Sequence, residues 1–133
     1  MDMFGDFTDI EFPQRIVEPQ RQTDIVYVLY FIAPGGKPVY FYVGQSTKGL
    51  WRLDDYLSGQ FSATTDFKVK QGIEYLRSQG FCSIRVKYKE CRNPRNEEKA
   101  IICHLLEQGF CLLNCFPGYE YIKNRERASK RRA

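Results

Sequence analysis

The sequence predicts a small α/β (α+β) fold: a three-stranded sheet flanked by helices, in the order β-β-α-α-β-α. Three observations predict it. Two β-branched and aromatic runs flank a Pro34-Gly35-Gly36-Lys37-Pro38 turn, the pattern of an antiparallel hairpin. Residues 81–90 alternate apolar and charged, the period of a half-buried strand. Three further segments carry apolar residues at helical spacing.

Residues 1–23 contain Pro13, Pro19 and several glutamines with little periodicity, and read as a loose N-terminal arm. Its apolar residues, Phe4, Phe7, Ile10, Phe12, Ile16 and Val17, are able to dock on the body. Asp24 to Ala33 is the first strand and Val39 to Val43 the second. Glycine permits positive φ in the turn between them, and proline fixes its own. Lys48 to Leu57 reads as a short helix with Leu50, Leu53 and Leu57 on its buried face. A second helix runs from a cap at Thr65 or Asp66 through Ser78 and stops at Gly80. In the third strand Ile84, Val86 and Tyr88 face one way, and Arg85, Lys87 and Lys89 form a basic outer row. Asn93-Pro94 breaks the chain. Asn96 caps a third helix from Glu97 to Gln108, with Ile101, Ile102 and Leu105 inward, and Gly109 ends it.

A length of 133 residues suits one domain, placed here at 24–118 and followed by a basic tail at 119–133. Chains of this size bury roughly two-thirds of their unfolded surface, so a core needs no staples. With 43% apolar and 15% aromatic residues the chain is not wholly disordered. No apolar run approaches the ~20 residues of a bilayer span, and the acidic N-terminus lacks a signal-peptide pattern. The expectation is an intracellular protein with no membrane partner: cytoplasmic, or nuclear in a eukaryote. Five cysteines, at 82, 91, 103, 111 and 115, are an odd count for a closed disulfide framework and read as reduced thiols. A zinc set of Cys103, His104, Cys111 and Cys115 lacks a CxxC knuckle, and small apolar core residues are the simpler account. The net charge of +4 is uneven. Residues 1–24 hold six acids against Arg15 and Arg21, whereas 122–133 hold six bases against Glu126. That asymmetry suggests a polyanionic partner for the body and tail.

Tyr42-Val43-Gly44 is followed eight residues after the glycine by Arg52, and four residues later by Tyr56. Ile25-Val26-Tyr27 lies upstream; Glu97-Glu98 and Leu112-Leu113-Asn114 lie downstream. In this order the segments resemble the GIY-YIG nuclease superfamily. Ile25-Val26-Tyr27 is similar to its first signature element and Tyr42-Val43-Gly44 to its second. Leu50-Trp51-Arg52 resembles the approach to its catalytic arginine. Glu98 before Ile101-Ile102 resembles its metal-binding glutamate, and Asn114 its closing asparagine. The resemblance covers residues 24–115. Four departures stand out. Ile25 replaces a glycine, and the Tyr27-to-Tyr42 interval is a few residues long. Tyr56 stands where many members carry histidine, and Gln45 where some use lysine.

The resemblance implies a metal-dependent endonuclease that hydrolyses phosphodiester bonds in DNA, or RNA, as a monomer or homodimer. It implies Tyr27, Tyr42, Arg52, Tyr56, Glu98 and Asn114 as catalytic residues and one Mg²⁺ or Mn²⁺ on Glu98. The alternative is a nucleic-acid-binding module of the same fold without catalysis. Elementary chemistry suits these roles. Tyrosine, with an ordinary pKa of ~10, needs positive charge nearby to serve as a base at neutral pH. Arginine offers a planar fork to a phosphate. Mg²⁺ binds through one or two carboxylates plus phosphate oxygens and keeps several waters. Tyr30 is a rival to Tyr27, but its odd offset turns it to the opposite face. Trp51 could stack on a base, although buried helix packing is the preferred account. Gln45 and Ser46 beside the second element, the row Arg85, Lys87 and Lys89, and the tail bases Lys123, Arg125 and Arg127 are the expected nucleic-acid contacts, giving affinity without sequence readout.

Overall fold

The computed structural model describes residues 3–13, 21–58, 64–80 and 83–114. The tail from 119, with Lys123, Arg125 and Arg127, lies outside them, as do Cys82 and Cys115. Among the described residues the fold is mixed α+β, with four antiparallel strands and three helices. The strands are β1 (Thr8–Glu11), β2 (Ile25–Ile32), β3 (Pro38–Ser46) and β4 (Ile84–Glu90). The helices are α1 (Arg52–Ser58), entered through a 3₁₀ turn at Gly49–Trp51, α2 (Thr64–Ser78) and α3 (Pro94–Glu107). Strand order in the sheet is β1-β4-β2-β3.

Two expectations are corrected. The sheet has four strands, not three, because part of the N-terminal arm pairs with β4 from Thr8↔Tyr88 to Glu11↔Arg85. β1 is too short and too acidic to read as a strand; pairing and docking make it one. Phe12 enters the core on one side of the sheet and Phe4 on the other, so the arm straddles the sheet edge. The third helix begins at Pro94, with Asn93 rather than Asn96 as its cap. The Asn93 side-chain oxygen accepts from the Asn96 N–H at 3.4 Å. Proline fits the first turn because its missing N–H would have no helical partner there.

β2 is buried from Ile25 to Tyr30, since it is central and both of its faces are covered. On one face Ile25, Tyr27 and Leu29 pack with Phe41, Tyr42 and Val86 under Leu53 and Tyr56 of α1 and Val69 and Ile73 of α2. On the other, Val26, Val28, Tyr30, Tyr40 and Val43 pack under Ile101 and Leu105 of α3, with Phe4 and Leu112. Among the described residues no helix is long and apolar enough to cross a membrane.

Candidate active site

Strand register brings two tyrosines to one face. Tyr27 pairs with Gly44, and Leu29 with Tyr42. The register then breaks between Leu29 and Tyr30, so that Tyr30 pairs with Tyr40 and Phe41 is the extra residue. A bulge of this kind re-aims the side chains beyond it. Tyr40 and Tyr42, two residues apart, therefore sit in opposite cores, and Tyr42 joins Tyr27. Their ring centroids are 6.2 Å apart.

Gly44 makes room for Tyr27. A Cβ at Gly44 would lie 2.3 Å from Tyr27 Cζ and 2.4 Å from its hydroxyl oxygen. The glycine of Tyr42-Val43-Gly44 thus serves close approach of a side chain to backbone rather than a positive φ. The loop from β3 to α1 is pinned by Thr23, whose N–H donates to the Thr47 carbonyl at 2.8 Å and whose carbonyl accepts from Gly49 at 2.9 Å. The Ser46 hydroxyl accepts from the Lys48 N–H at 3.0 Å.

So anchored, α1 presents Arg52 and Tyr56 one turn apart toward the strand tyrosines. The Tyr56 and Tyr27 hydroxyl oxygens are 2.6 Å apart, and Tyr56 also hydrogen-bonds Tyr42. The Arg52 guanidinium carbon lies 5.3 Å from the centroid of the Tyr56 ring, a cation–π distance. Burial, joined by the neighbouring phenols, pushes Tyr27 and Tyr42 well above the ordinary tyrosine pKa. Arg52 pulls both the other way. The unliganded site therefore holds neutral phenols at pH 7.

The two glutamates at the start of α3 have different surroundings. Glu97 pairs with Lys89 at 3.5 Å. Glu98 is half-buried, and desolvation lifts its carboxyl above the ordinary range against the pull of Arg95 and Lys99. Its charge is near enough to raise Tyr42. Among the described residues no three His, Cys, Asp or Glu side chains gather as a metal-holding set. The donor set is thus a single desolvated carboxylate. It fits a hard ion that keeps its waters and takes its remaining ligands from a phosphate, and it does not fit a closed protein cage.

Asn114 does not point its amide at a ligand. Its Oδ1 accepts from the Val43 N–H at 2.9 Å, and its Nδ2 donates to the Val43 carbonyl at 2.6 Å. With the Leu113 N–H on the Phe41 carbonyl at 2.8 Å, it closes the edge of β3 and holds the segment bearing Tyr42 and Gly44. Beside this segment, Gln45, Ser46, Thr47, Lys48 and Arg52 line a cleft of about 240 Å³.

The basic row lies elsewhere. Arg85, Lys87 and Lys89 stand on the α3 face, opposite the tyrosine cluster, and are not an open outer row. Asp9 takes Arg85 at 3.0 Å, and Asp6 takes Lys89 at 3.4 Å. The Lys87 ammonium lies 5.1, 5.2 and 5.6 Å from the ring centroids of Phe4, Tyr30 and Tyr40. Tyr30 also hydrogen-bonds Asp9. Part of the charge asymmetry is consumed inside the fold. Its signal in the sequence was the acidic arm itself, which only a paired β1 could bring to β4. The clefts beside the tyrosine cluster are lined by Lys48 and, on α2, by Lys70 and Arg77, which no sequence pattern singled out. No family model, curated protein or solved structure matches the chain.

Proposed function

We propose that this chain is a divalent-metal-dependent nuclease of the GIY-YIG type, cutting phosphodiester bonds in DNA. The observation that carries the proposal is the meeting of Tyr27, Tyr42, Tyr56 and Arg52 in one cluster, with Glu98 close enough for its charge to reach Tyr42. These residues come from β2, β3, α1 and α3, and they are the ones the resemblance selected. Glu98 would hold the ion. A bound Mg²⁺ or Mn²⁺ would supply charge relief to the phosphate and favour the ionised phenol.

The chain's own groups do the rest. Arg52 is placed to brace a phosphate in the cleft it lines with Lys48 and Gln45. In the ionised form that the metal would favour, Tyr27 would accept the proton of the attacking water; the Tyr56 hydroxyl oxygen stands 2.6 Å from its own. Asn114 keeps β3 in register and so positions Tyr42.

A second reading, a nucleic-acid-binding module without catalysis, draws on one specific observation. Tyr27 is only 1% exposed, and burial raises its pKa. Divalent-dependent nicking of a supercoiled plasmid separates the two. Activity with Mg²⁺ or Mn²⁺ that Glu98→Gln abolishes, in a folded protein, supports the nuclease. Binding without nicking supports the module. Near wild-type cleavage by Glu98→Gln would sink Glu98 as the metal ligand.

A further inference from the structure

A second cleft, of about 280 Å³, opens on the α2 side of the tyrosine cluster. Its lining is Phe12, Tyr56, Lys70, Ile73, Glu74 and Arg77. Tyr56, which lines it, carries the Arg52 guanidinium over its ring, and Arg52 lines the first cleft. We propose that this second cleft binds the phosphate backbone of the substrate strand as it leaves the Arg52–Tyr56 pair, with Lys70 and Arg77 as its contacts. The inference rests on the proposed nuclease reading and adds to it the path of the strand and two binding residues.

Three observations carry it. First, Lys70 and Arg77 stand on one face of α2, two turns and about 10 Å apart along the axis, so they meet different phosphates of one strand. Second, no ion pair to a described residue engages either, in contrast to Arg85 and Lys89 on the far face. Third, the floor is closed by the buried side chains of Phe12, Tyr56 and Ile73, so a strand seated there loses water around its charges and gains more from each cation. Glu74 sits between the two cations, within a turn of each, and opposes the phosphates. It holds the affinity of the cleft below its maximum.

The test is binding of a fluorescein-labelled DNA duplex to the full chain by anisotropy, with Ca²⁺ as the divalent ion, across a salt series. The Lys70→Gln/Arg77→Gln variant is expected to weaken binding and to flatten the slope of log K against log salt by roughly 1.8, at roughly 0.9 per lost phosphate contact. Glu74→Gln is expected to act in the opposite sense and tighten binding, which damage to the fold would not do. Unchanged affinity and slope in the double variant overturn the inference, as does a Glu74→Gln protein that binds no better than wild type. A wild-type chain that binds DNA but does not nick it overturns the activity and leaves the cleft standing. A chain that binds no DNA overturns both.

Discussion

The two faces of the sheet treat the same kinds of side chain in opposite ways. On the α1/α2 face, buried tyrosines meet an arginine, and two clefts border the pair. On the α3 face, tyrosines and cations also meet, but there they satisfy one another. Lys87 is ringed by Phe4, Tyr30 and Tyr40, Arg85 is held by Asp9, and Lys89 by Asp6 and Glu97. A cation already matched by acids and rings gives up those contacts when it binds a phosphate. Lys70 and Arg77, which line the second cleft with no ion pair to a described residue, do not. Basic character therefore indicates function only where the fold leaves the charge unanswered.

The comparison breaks most visibly in activity. Tyr27→Phe removes one oxygen and little volume. If Tyr27 takes the water's proton, single-turnover cleavage should fall about 10²–10⁴-fold. Arg52→Ala should be at least as harmful. Tyr30→Phe, the matching change on the far face, should leave the rate near wild type. Equal loss from Tyr27→Phe and Tyr30→Phe would erase the distinction between the faces.

Gly44→Ala tests the packing beneath the site. The added methyl would overlap the buried Tyr27 ring. Overpacking of this kind costs about 1–3 kcal/mol, to be measured by chemical denaturation. Cleavage should fall with it, because the ring has no direction in which to yield without moving its hydroxyl.

Lys87→Gln sharpens the other side. Loss of a cation set over three rings should cost about 1.5–3 kcal/mol of stability, from roughly 0.5–1 for each well-placed contact. Affinity for DNA should not change. A large drop in affinity with stability intact would return the basic row to the nucleic-acid surface and reverse the comparison.

The smallest effect concerns alkaline pH. Burial, with the hydrogen bond to Asp9, pushes Tyr30 up to about 12. A folded-state pKa above the unfolded value of ~10 means that the folded protein holds this proton more tightly. The associated stability is complete below about pH 10 and is lost as pH rises toward 12. Melting temperatures over that range should fall less steeply in Tyr30→Phe than in wild type. Identical profiles would remove Tyr30 from the linkage.

Much of this was legible in the chain. The Pro-Gly-Gly-Lys-Pro turn between two aromatic runs made β2 and β3 readable, because glycine and proline act locally. Alternation in β4 and the glycines after α2 and α3 were readable for the same reason; Gly80 and Gly109 have φ of 92°. Tyr27, Tyr42, Arg52, Tyr56 and Glu98 could be named from order and spacing. Tertiary structure alone decided what joins them and what they meet. The bulge at Phe41 sends Tyr40 to the core opposite Tyr42, and no local pattern announces it. Asn114 became a clamp on Val43 because β3 is an edge strand whose backbone needs partners. Glu97 and Glu98, adjacent and chemically alike, parted because helical rotation sends one to Lys89 and leaves the other half-buried, its charge raising the Tyr42 pKa. The acidic arm became β1, and its charges closed over β4. Local propensity acts over a few residues, so it could write the elements. Which charges remained free depended on contacts between Asp6 or Asp9 and residues about eighty positions away, and only the folded chain brings those together.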